Sequence, residues 1–261
     1  MATSNQTVTG TINATGCDLG VYVGPGVTGV TIGSTAAGET TTVTGANDTG
    51  IFAEQTSGIL VQDVTITANG INPTTTVESF GGVVLAGVSS TVVTGTTITN
   101  NGGGGVFLND NGPSDPGASN AGPKAPVASV SDTVADNNIN GNYGACGIVY
   151  STHNSGGTIS DSSIVGNIIS GHPGVFKATG PDVGGIVIGA ASPGATISNI
   201  KVTGNDVSTS FEGGIIVHSH APHDLVTGTV ISGNIVGPGN NWGQTNGPPT
   251  TAGIIVGVDV L

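Results

Sequence analysis

The chain has 261 residues, 47 of them glycine, with 7% charged and 3% aromatic side chains and a formal net charge of −13 at pH 7. It contains no arginine, and Lys124, Lys177 and Lys201 are its only fixed cations, so it cannot neutralise a run of phosphates and nucleic acid is excluded as a partner. Polyanionic glycans are disfavoured on the same ground unless bound calcium supplies positive charge, and the apolar runs of two to four residues fall far short of the ~18 that would cross a membrane.

In chain order, the opening "MATSNQTVTG" has neither the charged stretch nor the apolar stretch of a secretory leader. Residues 1–19 are expected to form a cap segment at the start of a single domain spanning 1–261. From "GVYV" at 20 onward, a unit of glycine followed by three apolar residues recurs. It reads "GIFA" at 50, "GVVL" at 82, "GVFL" at 105, "GIVY" at 147, "GIVI" at 185 and "GIIV" at 214 and 253. The step from 82 to 105 is 23 residues and that from 105 to 147 is 42. A coil of about 23 residues with loops of variable length accounts for both.

A second strand follows in most coils: "VTIT" at 64, "TTIT" at 96, "DTVA" at 132, "SSIV" at 162, "IKVT" at 200 and "TVIS" at 229. Two residues after each comes an asparagine: Asn69, Asn101, Asn137, Asn167, Asn205 and Asn234. Asparagine tolerates a left-handed backbone at a tight turn, and stacked asparagines can hydrogen-bond as a ladder. These repeats resemble the right-handed parallel β-helix, the pectin-lyase-like solenoid superfamily, over roughly residues 20–261. The fold expected is all-β: one such solenoid of about eight coils, with an asparagine ladder and long insertions on one face. Threonines on the second strand (Thr65, Thr67, Thr97, Thr99, Thr133, Thr203) suggest an ice-binding face. Ala135, Val165, Lys201 and Val230 interrupt it, and it is read as ordinary β surface. Cys17 and Cys146 stand about four coils apart, ~19 Å at the interstrand spacing. That is beyond disulfide reach, and both are expected as free thiols.

Alternation along a strand assigns the outer residue of each repeat: Phe52, Val84, Phe107, Val149, Val187, Ile216 and Ile255. Such an apolar stripe is either covered by insertions or a partner, or forms a ligand groove. The segments 71–81, 169–184 and 237–252 enter beside it and carry Phe80, Phe176 and Trp242, and 208–213 adds Phe211. They are expected to wall a cleft.

Past each strand, Asn109 and Asp110 are followed one coil later by Ser151 and His153, then Gly189 and Ala191, then His218 and His220, then Gly257 and Asp259. His153 and the pair His218 and His220 are expected to flank a notch over the small residues Gly189 and Ala191, ~10 Å across. His153 or His218 would act as an acid–base group, with Asp110 the orienting carboxylate and Asp259 the neighbour of His220. Asn109, Phe107, Tyr150, Ile216, Trp242, Phe176 and Phe211 would contact the ligand. No cofactor is demanded. Calcium remains compatible with the carboxylates, whereas a transition metal at His218 and His220 would lack a third ligand within reach.

The resemblance implies action on, or binding of, carbohydrate by a secreted protein, extracellular or periplasmic. The sequence departs from the family's known catalytic patterns: it has no arginine base, and the "GHG" and "RIK" strings of polygalacturonase-like enzymes are absent. A second reading is an isomerase, cyclase or lyase for a small neutral apolar molecule. A third is a non-catalytic surface or adhesive module, self-associating through the stripe or through the last strand "GIIVGVDVL".

Overall fold

The computed structural model describes residues 1–34, 36, 39–71, 81–111, 125–143, 146–171, 184–210, 213–237, 241–242, 250–251 and 253–258. It is a right-handed parallel β-helix, the hand that parallel crossovers take in about 98% of cases. Each coil contributes one short strand to each of three long sheets. The first sheet has eight strands, from Thr7–Val8 to Val230–Ser232, and the second has seven, from Thr11–Asn13 to Asp206–Thr209. The third has eight, from Leu19–Val23 to Ile254–Val258, and these are the glycine repeats. A narrower fourth sheet, from Ser129–Val130 to Leu225–Thr227, fills the corner between third and first in the later coils. Residues 7–13 are therefore the first turn of the solenoid rather than a cap, with Thr7 paired to Thr31 and Thr11 to Thr42.

The interior is built of stacked columns. Val61, Val93, Val134, Ile164 and Val202 line the first sheet, and Ile66, Ile98, Ile139, Ile169 and Val207 the second, all essentially without solvent contact. Each fully buried side chain of this size contributes about 1.5–3 kcal/mol, which is how a chain poor in aromatics acquires a core. The leading glycine of each repeat is required by close approach. A Cβ on Gly82 would lie 2.2 Å from the carbonyl oxygen of Gly105, and one on Gly105 2.5 Å from that of Gly147.

The asparagines form two ladders, not one. Asn69, Asn101 and the unforeseen Asn142 stack at the corner between the second and third sheets, with side-chain bonds of 3.0 and 2.9 Å. Asn137, Asn167, Asn205 and Asn234 stack at the corner between the first and second, each bond 2.9 Å. The sequence pattern conflates them because strands of both sheets carry the same spacing to the next asparagine. Nor does the ladder asparagine itself take the left-handed turn. The residue before it does, as at Ala68 (φ 56°), Asn100 (φ 56°) and Asp136 (φ 55°).

The same conflation broke up the threonine columns. Thr42, Thr65 and Thr97 stand in register on the second sheet, with Thr44, Thr67 and Thr99 beside them. The interrupting residues Ala135, Val165, Lys201 and Val230 belong to the first sheet. Cys17 and Cys146 are free, the first exposed and the second buried. Val230, Ile235, Ile254 and Val256, near the last coil, are exposed. No helix among the described residues is long and apolar enough to cross a membrane.

Candidate functional site

The outer face of the third sheet carries two parallel rows. The apolar row runs in unbroken register from Tyr22 through Phe52, Val84, Phe107, Val149, Val187 and Ile216 to Ile255. It forms a second hydrophobic cluster outside the solenoid. Its middle is covered rather than open: Phe107 is 1% and Ile216 2% exposed, and Tyr22, Phe52 and Ile255 towards its ends are partly buried. An apolar groove open along its whole length is thus replaced by a closed stripe with half-open ends.

Two residues further along each strand lies the mixed row: Glu54, Ala86, Asn109, Ser151, Gly189, His218 and Gly257, again in direct register. His153, Ala191 and His220 continue beyond it. The amide of Ala191 donates to the carbonyl of Thr152 at 3.1 Å, and that of His220 to Ala190 at 2.9 Å. The three histidines therefore share one face, two coils apart, as the spacing implied.

The notch between them is filled. The His218 imidazole lies over Gly189, where an added Cβ would stand 2.5 Å from its Nε2. Its ring meets that of His220 edge-on at 4.0 Å and 73°, and only 7% of His218 is exposed. His153 instead leans on Phe107, ring centroids 5.4 Å apart.

Asp110 lies one coil from His153 as expected, but the work of its carboxylate is on the backbone. It is fully buried and accepts the amides of His153 at 2.7 Å and Asn154 at 3.2 Å. The side chain of Asn154 donates in turn to the Asp110 carbonyl at 2.7 Å. Asp110 fixes the turn that presents His153. Asp224 does the same for the histidine pair: it accepts the Ser219 hydroxyl and the amides of His220 at 3.0 Å and Ala221 at 2.9 Å. Sequence reasoning missed Asp224, although its place at the end of "HSHAPHD" is a usual one for a turn-closing carboxylate.

Tyr150 is not a ligand contact. It points into the solenoid, fully buried, and its hydroxyl donates to the Ser163 carbonyl at 3.1 Å. Burial, with Asp132 nearby, pushes its phenol well above the ordinary value. Asn109 is also buried, at 2% exposure. Phe80, Phe176, Phe211 and Asp259 lie outside the described residues. Trp242 belongs to a short antiparallel pairing of Asn241–Trp242 with Thr250–Thr251. Among the described residues, no group of three or more His, Cys, Asp and Glu is placed to hold a metal ion.

A second polar group at the other end of the row went unread. The Tyr22 hydroxyl donates to Glu54 Oε1 at 2.5 Å, and Asn111 Nδ2 donates to Glu54 Oε2 at 3.0 Å. Burial, followed by the hydrogen bond and negative charge of Glu54, raises the Tyr22 phenol to about 12. Extending the rows back to "GVYV" and "GIFAE" would have found it.

No protein family matches the chain, and no curated protein matches it. Among solved structures it is similar to the enzymatically active domain of bacteriophage CBA120 tailspike protein 2, at 10% identity and a TM-score of 0.37, over 95% of this chain and 41% of that one. It is similar also to the Agl-KA catalytic domain (13%, TM-score 0.33, 92% and 48%). A third is the A-module of the Azotobacter vinelandii mannuronan C-5 epimerase AlgE4 (14%, TM-score 0.30, 91% and 77%). The chain spans less than half the length of the first two.

Proposed function

We propose that the protein binds an uncharged carbohydrate on the outer face of the third sheet, with His153, His218 and His220 supplying acid–base groups at its C-terminal end. One observation carries the reading. His218 and His220 stand edge-on at 4.0 Å beside the half-open end of an apolar stripe, on a strand and turn locked by Asp224. Paired imidazoles can divide the labour, one accepting a proton and the other donating it. Their rigid mounting reduces the ordering cost of engaging a ligand. The charge of −13 with three lysines favours a neutral ligand over a polyanionic one.

The test is a titration of the full chain with uncharged oligosaccharides, following the imidazole C–H resonances and the formation of new sugar products. The resonances of His218 and His220 should move with one glycan class, and His218→Ala should weaken binding at least tenfold. Imidazoles indifferent to every uncharged glycan would overturn the reading. The burial of the stripe's middle favours a non-catalytic module as the second reading, for which binding without any product is the expected result.

A further inference from the structure

The last described coil breaks the pattern of the one before it. There, outward positions of the fourth, first and second sheets hold Thr196, Lys201 and Asp206, all polar. Their partners in the last coil are Leu225, Val230 and Ile235, each more than half exposed. The inward columns run out at the same place. Ile215 and Val217 are buried, whereas Ile254 and Val256, paired to them one coil on, are 48% and 72% exposed. Of the ten exposed large apolar residues described, six lie between 225 and 256, so this end is apolar both on its rim and across its section. A solenoid end that faces water carries a polar surface, and this one does not.

The backbone is open there too. Leu225–Thr227, Val230–Ser232 and Ile254–Val258 are the terminal strands of the fourth, first and third sheets. Each has one edge that pairs with no other described strand, and such edges invite pairing with another chain. The opposite end is closed. Ala2 belongs to the buried core, and its amide donates to the Tyr22 carbonyl at 2.9 Å, on the first strand of the third sheet. Val21 and Val23 on that strand are buried, and apart from Met1 no large apolar residue described before Ile71 is exposed.

Charge selects the occupant. Copies of a chain carrying −13 repel one another over most of their surface. Residues 225–258 contain no Asp, Glu, Lys, Arg or His, so two copies that meet there desolvate no charge. With the N-terminal end closed, head-to-tail stacking into a fibre is blocked, and the apolar end can meet only its own kind. A twofold contact of this sort closes on itself, and it sets the facing strands antiparallel, a pairing that β-edges accept.

We propose that two copies of the chain join end to end through this coil, in an uncharged twofold interface with Val230, Ile235, Ile254 and Val256 at its contacts. It is independent of the glycan reading and uses none of its residues.

Sedimentation equilibrium of the full chain, from low to high micromolar concentration, is the test. The expected species has twice the 25.1 kDa mass of one chain, with nothing larger. Val230→Asp and Val256→Asp each set like charges against the partner and should raise the dissociation constant at least tenfold. Circular dichroism separates loss of association from loss of fold, because each variant should keep the parent's β signal. Val230 points away from the core, so Val230→Asp carries the test alone if Val256→Asp misfolds. Ile168→Asp, also more than half exposed but on the second sheet away from this end, should leave the dimer intact. Four results would overturn the interface. They are a single-chain mass at every concentration, which leaves the end to other residues of the same chain; full dimer affinity in Val230→Asp; mass growing beyond the dimer; and loss of the dimer in Ile168→Asp.

Discussion

The two sides of the third sheet follow different rules. On its inner side Val23, Ala53, Leu85, Leu108, Tyr150, Ile188 and Val217 stack one above another, and every member is buried. One residue further along, on the outer side, Glu54, Ala86, Asn109, Ser151, Gly189, His218 and Gly257 share neither size nor charge. The inner row must fill a fixed cross-section at close-packed density. The outer row need only keep its backbone paired, and it places large polar groups beside small ones: Glu54 next to Ala86, His218 between Gly189 and Gly257. Architecture is thus written on the inside and individuality on the outside.

That contrast can be strained from the inside first. Asp132 is fully buried, and burial outweighs its bonds to Thr91 and Val130, raising its carboxyl to about 7. Because its folded value lies above the unfolded one near 3.8, the native state holds the proton more tightly. Stability from this group is complete below about pH 4 and is lost as pH rises toward 7, up to about 4 kcal/mol. Asp132→Asn should remove that slope, and chemical denaturation of parent and variant across pH 4 to 8 measures the difference. Next in size, Asn167→Ala should cost roughly 1–3 kcal/mol. It removes donors to the Val134 carbonyl and Asn205, and the acceptor for Asn137. A shift in the urea midpoint reads this loss.

On the outer side the expectations change kind. Gly189→Ala places a methyl where the His218 ring lies, so the ring must swing away. Stability should stay within about 1 kcal/mol, since alanine costs a strand interior nothing over glycine, while the His218 resonances move and glycan affinity falls. Thr203→Ala, on the solvent side of the first sheet, should change stability by no more than about 0.5 kcal/mol. A loss there as large as that at Asn167 would erase the distinction between the two sides.

How legible these features were follows from the same contrast. The coil register was readable because the glycine repeat is imposed by backbone clearance and survives every loop length. Eight strands in the third sheet and the alignment of Asn109, Ser151, Gly189 and His218 came directly from it. The two asparagine ladders were merged because strands at neighbouring corners carry identical spacing, and only pairing tells the sheets apart. Tyr150 was misplaced outward although alternation sends it inward. The orientation of His218 onto Gly189 and the backbone duty of Asp110 depend on rotamers and turn geometry, which no residue count contains. Glu54 and Tyr22 stand on adjacent coils, and their hydrogen bond likewise depends on rotamers.

The claim that function lies on the outer side of the third sheet is tested most directly by diffraction from crystals soaked in mixed uncharged oligosaccharides. Sugar density is expected at the C-terminal end of this face, in contact with His218 and His220. Density on the threonine columns of the second sheet, or an empty third-sheet face at concentrations that saturate binding in solution, would contradict it.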